Sequence, residues 1–263
     1  MRKLIGLWLL VSLAACGAQS HTDGAAPGQT DGAAASRTDG TTTGPAAGTT
    51  TATIAPRVVD ITTADGATLT ARVHGSGPTA VVLSNMGDND PSAWDAFAPL
   101  LAERGYTVLT YGYRYPSRTS SFTAAMAQGT VADLLAVIGF ATQGGASRLV
   151  LVGASLGGIA GVKVAASVGA AAVIVLSSPA DVAEYGFGVT DQELAALTVP
   201  KLVIAARDDR TVPHSATRDL YDRAPPPKQF HDYPSASHGV HLFATTYGDD
   251  LRQRIIDFVA TNS

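Results

Sequence analysis

Leu149-Val150-Leu151-Val152-Gly153-Ala154-Ser155-Leu156-Gly157-Gly158 is the stretch on which the reading of this chain turns. Its first four residues form a continuous apolar run, the pattern of a strand buried on both faces. A turn of small residues follows, and residues 159–168 then read as a helix rich in Ala and Gly. A strand that enters a helix through Gly-x-Ser-x-Gly holds the serine in a strained backbone conformation, so the neighbours two positions away must be nearly free of side chain. The hydroxyl then projects clear of the sheet, beside the free N–H groups at the start of the helix. The plainer alternative is a packing turn of Gly and Ser.

Outward from this stretch, apolar strands alternate with helical segments. Residues 58–62 and 68–74 flank Asp65-Gly66 and read as an opening hairpin. Residues 80–83, 106–111, 148–152, 172–176, 201–205 and 229–233 read as strands. Helical patterns fall at 94–103, 130–140, around 192–197, 216–222 and 249–260. This order predicts an α/β fold, with a mostly parallel central sheet and helices on both faces. Reactive groups in such sheets collect beyond the carboxyl ends of the strands.

A serine is a weak nucleophile at neutral pH unless a base stands beside it and a third group orients the base. The strand at 201–205 runs into Ala206-Arg207-Asp208-Asp209-Arg210-Thr211-Val212-Pro213, which places a carboxylate at its carboxyl end. The strand at 229–233 leads to Ser235-Ala236-Ser237-His238-Gly239, which places an imidazole there. His241 competes with His238 for the role of base, whereas His21, His74, His214 and His231 have surface or core readings. The order Ser, Asp, His is that of α/β-hydrolases.

From about Val58 onward the chain resembles the α/β-hydrolase superfamily. The resemblance implies Ser155 as nucleophile, His238 as base and Asp209 as supporting acid, with Asp208 as the alternative acid. Asp209 matches the acid of the family's G-x-x-D loop, although Ala206 stands where the glycine usually does. The oxyanion donors implied are the backbone N–H groups of Leu156 and of Met86, with Gly87 as runner-up. Asn85 replaces the family's usual His, and Gly112-Tyr113-Arg114-Tyr115 stands where many relatives carry Asp-x-Arg-Gly. Residues 178–199 hold one short helix at most, so a minimal cap or none is expected over the site. Tyr113, Tyr115, Tyr185, Phe187, Leu242 and Phe243 lie in loops that could line it. The implied activity is hydrolysis of a small-molecule or lipid ester. Peptidase or thioesterase activity is an alternative within the class, and an inactive binding lipoprotein is an alternative outside it.

The N-terminal segment reads separately. Residues 1–15 carry Arg2 and Lys3, an apolar run over 4–13 and small residues before Cys16, the layout of a secretory signal. Leu13-Ala14-Ala15-Cys16 resembles the lipobox of bacterial lipoproteins, which implies lipidation of Cys16, the single cysteine. Residues 16–56 then form a Thr/Gly/Ala-rich tether with Thr-Asp-Gly starting at 22, 30 and 38. Such a composition buries too little apolar surface to order itself. The expected domain is therefore 57–263, anchored to a cell membrane on its extracytoplasmic side. A net charge of −4 with no Lys/Arg cluster argues against nucleic acid as a partner. With no metal-ligand cluster and no dinucleotide fingerprint in the sequence, neither a metal nor another cofactor is expected. The mature chain extracted from its membrane is expected to begin at a lipid-modified Cys16. A free, unmodified N-terminus found by mass spectrometry would refute the anchor.

Overall fold

The computed structural model describes residues 55–263. The signal, Cys16 and nearly all of the tether expected over 16–56 lie outside them. Eight strands form one sheet: β1 (Arg57–Thr62), β2 (Thr68–His74), β3 (Thr79–Ser84), β4 (Thr107–Tyr111), β5 (Arg148–Ala154), β6 (Ala172–Leu176), β7 (Lys201–Ala206) and β8 (Lys228–Tyr233). Their order across the sheet is β1-β2-β4-β3-β5-β6-β7-β8. β1 runs antiparallel to β2, and β2 antiparallel to β4. The remaining neighbours are parallel. The expected mostly parallel sheet of an α/β-hydrolase fold is what the chain forms.

Among the described residues six α-helices flank it: α1 (Ala98–Ala102), α2 (Ala124–Gln143), α3 (Leu156–Ala165), α4 (Asp191–Ala195), α5 (His214–Arg223) and α6 (Gly248–Asn262). Leu134 and Val137 of α2, Ile159 and Val162 of α3 and Leu220 of α5 share one core with Val82, Leu109 and Leu151. On the opposite face Leu101 of α1 and Leu251, Ile255 and Val259 of α6 pack with Val81, Leu83 and Ile174. Alternate residues of each central strand thus feed opposite cores, which is why residues 80–83 of β3 and 149–152 of β5 are all apolar. α2 is apolar and long enough to cross a membrane by composition, yet it packs into this core.

Two helices differ from the sequence reading. The pattern at 94–103 is split into a 3-10 turn at Pro91–Trp94 and the short α1, because Pro99 lacks an N–H and sits in the first turn of α1. α2 begins ahead of residue 130, where the Thr123 hydroxyl accepts from the Met126 N–H as an N-cap. Between β6 and β7 lie a two-residue hairpin, Asp181–Val182 with Phe187–Gly188, and α4. That insertion is too small to be a cap domain.

At the junction of β5 and α3 the backbones of strand and helix come close together. A Cβ on Gly153 would lie 2.3 Å from the Gly157 carbonyl oxygen, and one on Gly157 would lie 2.5 Å from the Asn85 carbonyl oxygen. Both obstacles are backbone, so neither yields by a rotamer change. Gly153→Ala is expected to cost about 3 kcal/mol, read as a lower urea midpoint. Wild-type stability in that variant would show that the strand and helix do not need this approach.

Candidate active site

Four strand ends deliver the candidate residues to one edge of the sheet. Ser84 of β3 is in register with Gly153 of β5, and Ala154 with Leu176 of β6, so residues 85–87 leave the sheet beside the turn that carries Ser155. β7 and β8 pair as far as Ala206 with Tyr233. Beyond them the Arg207 N–H donates to the Tyr233 carbonyl at 2.9 Å and the Asp208 N–H to the Ser235 carbonyl at 3.0 Å. This extension holds the loops of Asp209 and His238 together.

Ser155 has φ 50° and ψ −116°, a region that costs a non-glycine residue about 1–3 kcal/mol. The surrounding bonds over-determine it. Its N–H donates to the Leu176 carbonyl at 2.8 Å, and its carbonyl accepts from the N–H groups of Gly158 at 3.0 Å and Ile159 at 3.2 Å. The side chain remains partly exposed at the head of α3.

The His238 ring Nδ1 lies 2.8 Å from Asp209 Oδ2. The Asp209 side chain is 1% exposed, and its other oxygen accepts from the N–H groups of Thr211 at 2.8 Å and Val212 at 3.0 Å. Burial works to raise its pKa, but the His238 hydrogen bond and charge together with the two backbone donors outweigh it and hold the carboxyl below the ordinary range. Asp208 is exposed and its N–H belongs to the β7–β8 extension. His241 is exposed on a 3-10 turn at Gly239–Ala244, its N–H donating to the His238 carbonyl at 3.0 Å.

Met86 binds these parts into one site. A Cβ on Gly239, which has φ 52°, would meet Met86 Sδ at 2.6 Å and Ala154 Cβ at 3.4 Å. The residue after His238 therefore packs against the residue before Ser155, with the Met86 side chain filling the junction. No hydrogen bond joins the Ser155 hydroxyl to His238 in this structure; such contacts commonly tighten only with substrate bound. Among the described residues the N–H groups of Met86, Gly87 and Leu156 donate to no protein acceptor.

Sequence reasoning missed the support of the 85–89 loop. The Asn85 side chain donates to the Tyr111 carbonyl at 2.6 Å. Asn89, at φ 53°, accepts from the Tyr113 N–H at 2.7 Å and donates to the Tyr115 carbonyl at 2.6 Å. The one available signal was a pair of asparagines just past a strand, since Asn tolerates the left-handed region. Of the six loop side chains that could line the site, five are buried. Tyr113, Tyr115 and Phe187 are buried, and Leu242 and Phe243 belong to the core, where Phe243 stacks on Phe97 at 5.1 Å. Tyr185 alone of the six is half-buried, edge-on to Phe122 at 4.9 Å.

No protein-family model and no curated protein matches the chain. Solved structures do match it. The esterase Pf2001 of Pyrococcus furiosus superposes with a TM-score of 0.65 at 16% identity, over 78% of this chain and 92% of that one. The enol-lactonase of Burkholderia xenovorans LB400 gives 0.64 at 15%, over 77% and 100%. XC6422 of Xanthomonas campestris, a serine hydrolase without a lid, gives 0.60 at 19%, over 79% and 95%. At these identities the likeness is one of fold, and the fold is that of the α/β-hydrolases.

A carboxyl whose folded pKa lies below its unfolded value near 3.9 contributes stability that is complete above that value and is lost as pH falls through the depressed pKa. Urea unfolding of wild type and Asp209→Asn, from about pH 5 down to about pH 2, is therefore expected to show the gap between them closing as pH falls. A gap independent of pH would mean that folding leaves the Asp209 pKa at its unfolded value.

Proposed function

We propose that this protein is a serine hydrolase that cleaves carboxylic esters through an acyl-enzyme. The observation that carries the reading is the 2.8 Å bond between His238 and buried Asp209, held on loops that pack against the strained turn of Ser155. In this reading His238 Nε2 takes the proton of the Ser155 hydroxyl as its oxygen attacks the ester carbonyl. Negative charge gathers on the carbonyl oxygen, where the N–H groups of Met86 and Leu156 receive it. The imidazolium, stabilised by Asp209, gives the proton to the departing alcohol, and water repeats the sequence to release the acid.

The small insertion between β6 and β7 supports an open site that takes its substrate from outside without a cap moving aside. The similarity to proteins described as an esterase and an enol-lactonase supports small-molecule ester substrates. The signal-like residues 1–15, Cys16 and the tether sequence support a lipid-anchored place on the outer side of a cell membrane.

Hydrolysis of short-chain p-nitrophenyl esters by the full chain, with Ser155→Ala alongside, tests the assignment. Turnover is expected to fall about 10⁴-fold or more in the variant, and covalent labelling by a fluorophosphonate to vanish. Labelling retained in Ser155→Ala would sink it.

A further inference from the structure

We infer that the Tyr113 hydroxyl positions and polarises the Met86 oxyanion donor by binding the carbonyl of the same peptide unit. The inference rests on the serine hydrolase reading and extends it to a residue with no direct substrate contact.

The N–H of Met86 and the C=O of Asn85 are opposite ends of one planar amide. Whatever fixes the carbonyl therefore fixes the direction in which the N–H points. Two donors meet at the Asn85 oxygen. The Gly157 N–H reaches it at 3.1 Å from the first turn of α3, and the Tyr113 hydroxyl reaches it at 2.7 Å from the loop after β4. The first bond ties the amide to the helix that follows Ser155, which carries the other donor at Leu156. The second draws electron density toward the carbonyl oxygen and makes the N–H on the far side a stronger donor, the cooperative effect of chained hydrogen bonds.

Tyr113 is built to hold that position. Its own N–H and carbonyl are both bonded to the Asn89 side chain, at 2.7 Å and 3.2 Å. Its ring is stacked on Tyr115 and lies edge-on to Tyr111, each at 5.5 Å. Burial pushes the phenol far above its ordinary pKa, so the hydroxyl stays a donor across the working range. The neighbouring Tyr111 supplies a natural comparison. It is also buried, and its hydroxyl is bonded to Ser84 Oγ at 2.9 Å and not to the Asn85 carbonyl.

The test compares Tyr113→Phe with Tyr111→Phe, each of which removes one buried phenolic hydroxyl and keeps the ring. With p-nitrophenyl acetate, Tyr113→Phe is expected to lower kcat about tenfold with KM within about twofold, because the lost polarisation acts on the charge that develops in the transition state. Phenylboronic acid, which forms a tetrahedral adduct on a reactive serine, should bind Tyr113→Phe about tenfold more weakly. Tyr111→Phe should leave both within about twofold. The ratio of boronate affinity to KM does not depend on the folded fraction, so the comparison holds if a variant is partly unfolded. Unchanged kcat and boronate affinity in Tyr113→Phe, or equal losses in both variants, would overturn the inference while leaving the hydrolase reading standing. A wild-type chain with neither turnover nor fluorophosphonate labelling would remove that reading and this inference with it.

Discussion

The close approach of α3 to the ends of β3 and β5 is the constraint from which the rest of the site follows. With Gly153 and Gly157 in near contact through their backbones, the chain must turn from strand to helix within a single residue, and that residue is Ser155. The cost of its backbone conformation is met by bonds to β6 on one side and to the first turn of α3 on the other. The same approach sets Asn85 against the helix, so the loop after β3 lies beside the start of α3. A side chain at either glycine would separate the strand from the helix and the donors from the serine.

Around this junction the polar groups form a supporting layer that apolar packing could not replace. Asn85 and Asn89 tie the loop after β3 to the loop after β4, and Arg114 in the latter donates to Asp133 of α2 through both its backbone N–H and its guanidinium, at 2.9 Å and 2.8 Å. Two of the three departures from the α/β-hydrolase pattern, Asn85 and the Gly-Tyr-Arg-Tyr segment, meet in this one layer. Removing a single partner would leave a buried polar group unpaired, which costs more than the bond itself contributes. The network therefore holds in place the loop that carries the proposed oxyanion donor.

The edge formed by β7 and β8 solves a different problem, that of bringing an acid and an imidazole from separate loops into one hydrogen bond. Two backbone bonds past the last paired residues keep the loops in step. Asp209 is then buried among donors, which keeps it ionised despite its burial. Asp208, one residue earlier, is spent on the ladder and faces solvent. Adjacent carboxylates with identical chemistry are separated by strand geometry alone.

Much of this was legible in the linear chain because it depends on local rules. Continuous apolar runs of strand length marked the sheet, and the glycines around Ser155 marked the turn, since period and backbone freedom are properties of short segments. The Ser, Asp, His order could be read because each residue follows its own strand. What could not be read depends on contacts between distant segments. The Asn89 bonds to Tyr113 and Tyr115, the Tyr113 bond to the Asn85 carbonyl and the seating of Met86 against Gly239 join residues that no spacing rule relates. The loop aromatics show the same limit, because a tyrosine beside a strand end has one sequence signature whether it faces a substrate or a buried carbonyl. Local chemistry chose the residues, and tertiary packing alone decided which of them touch.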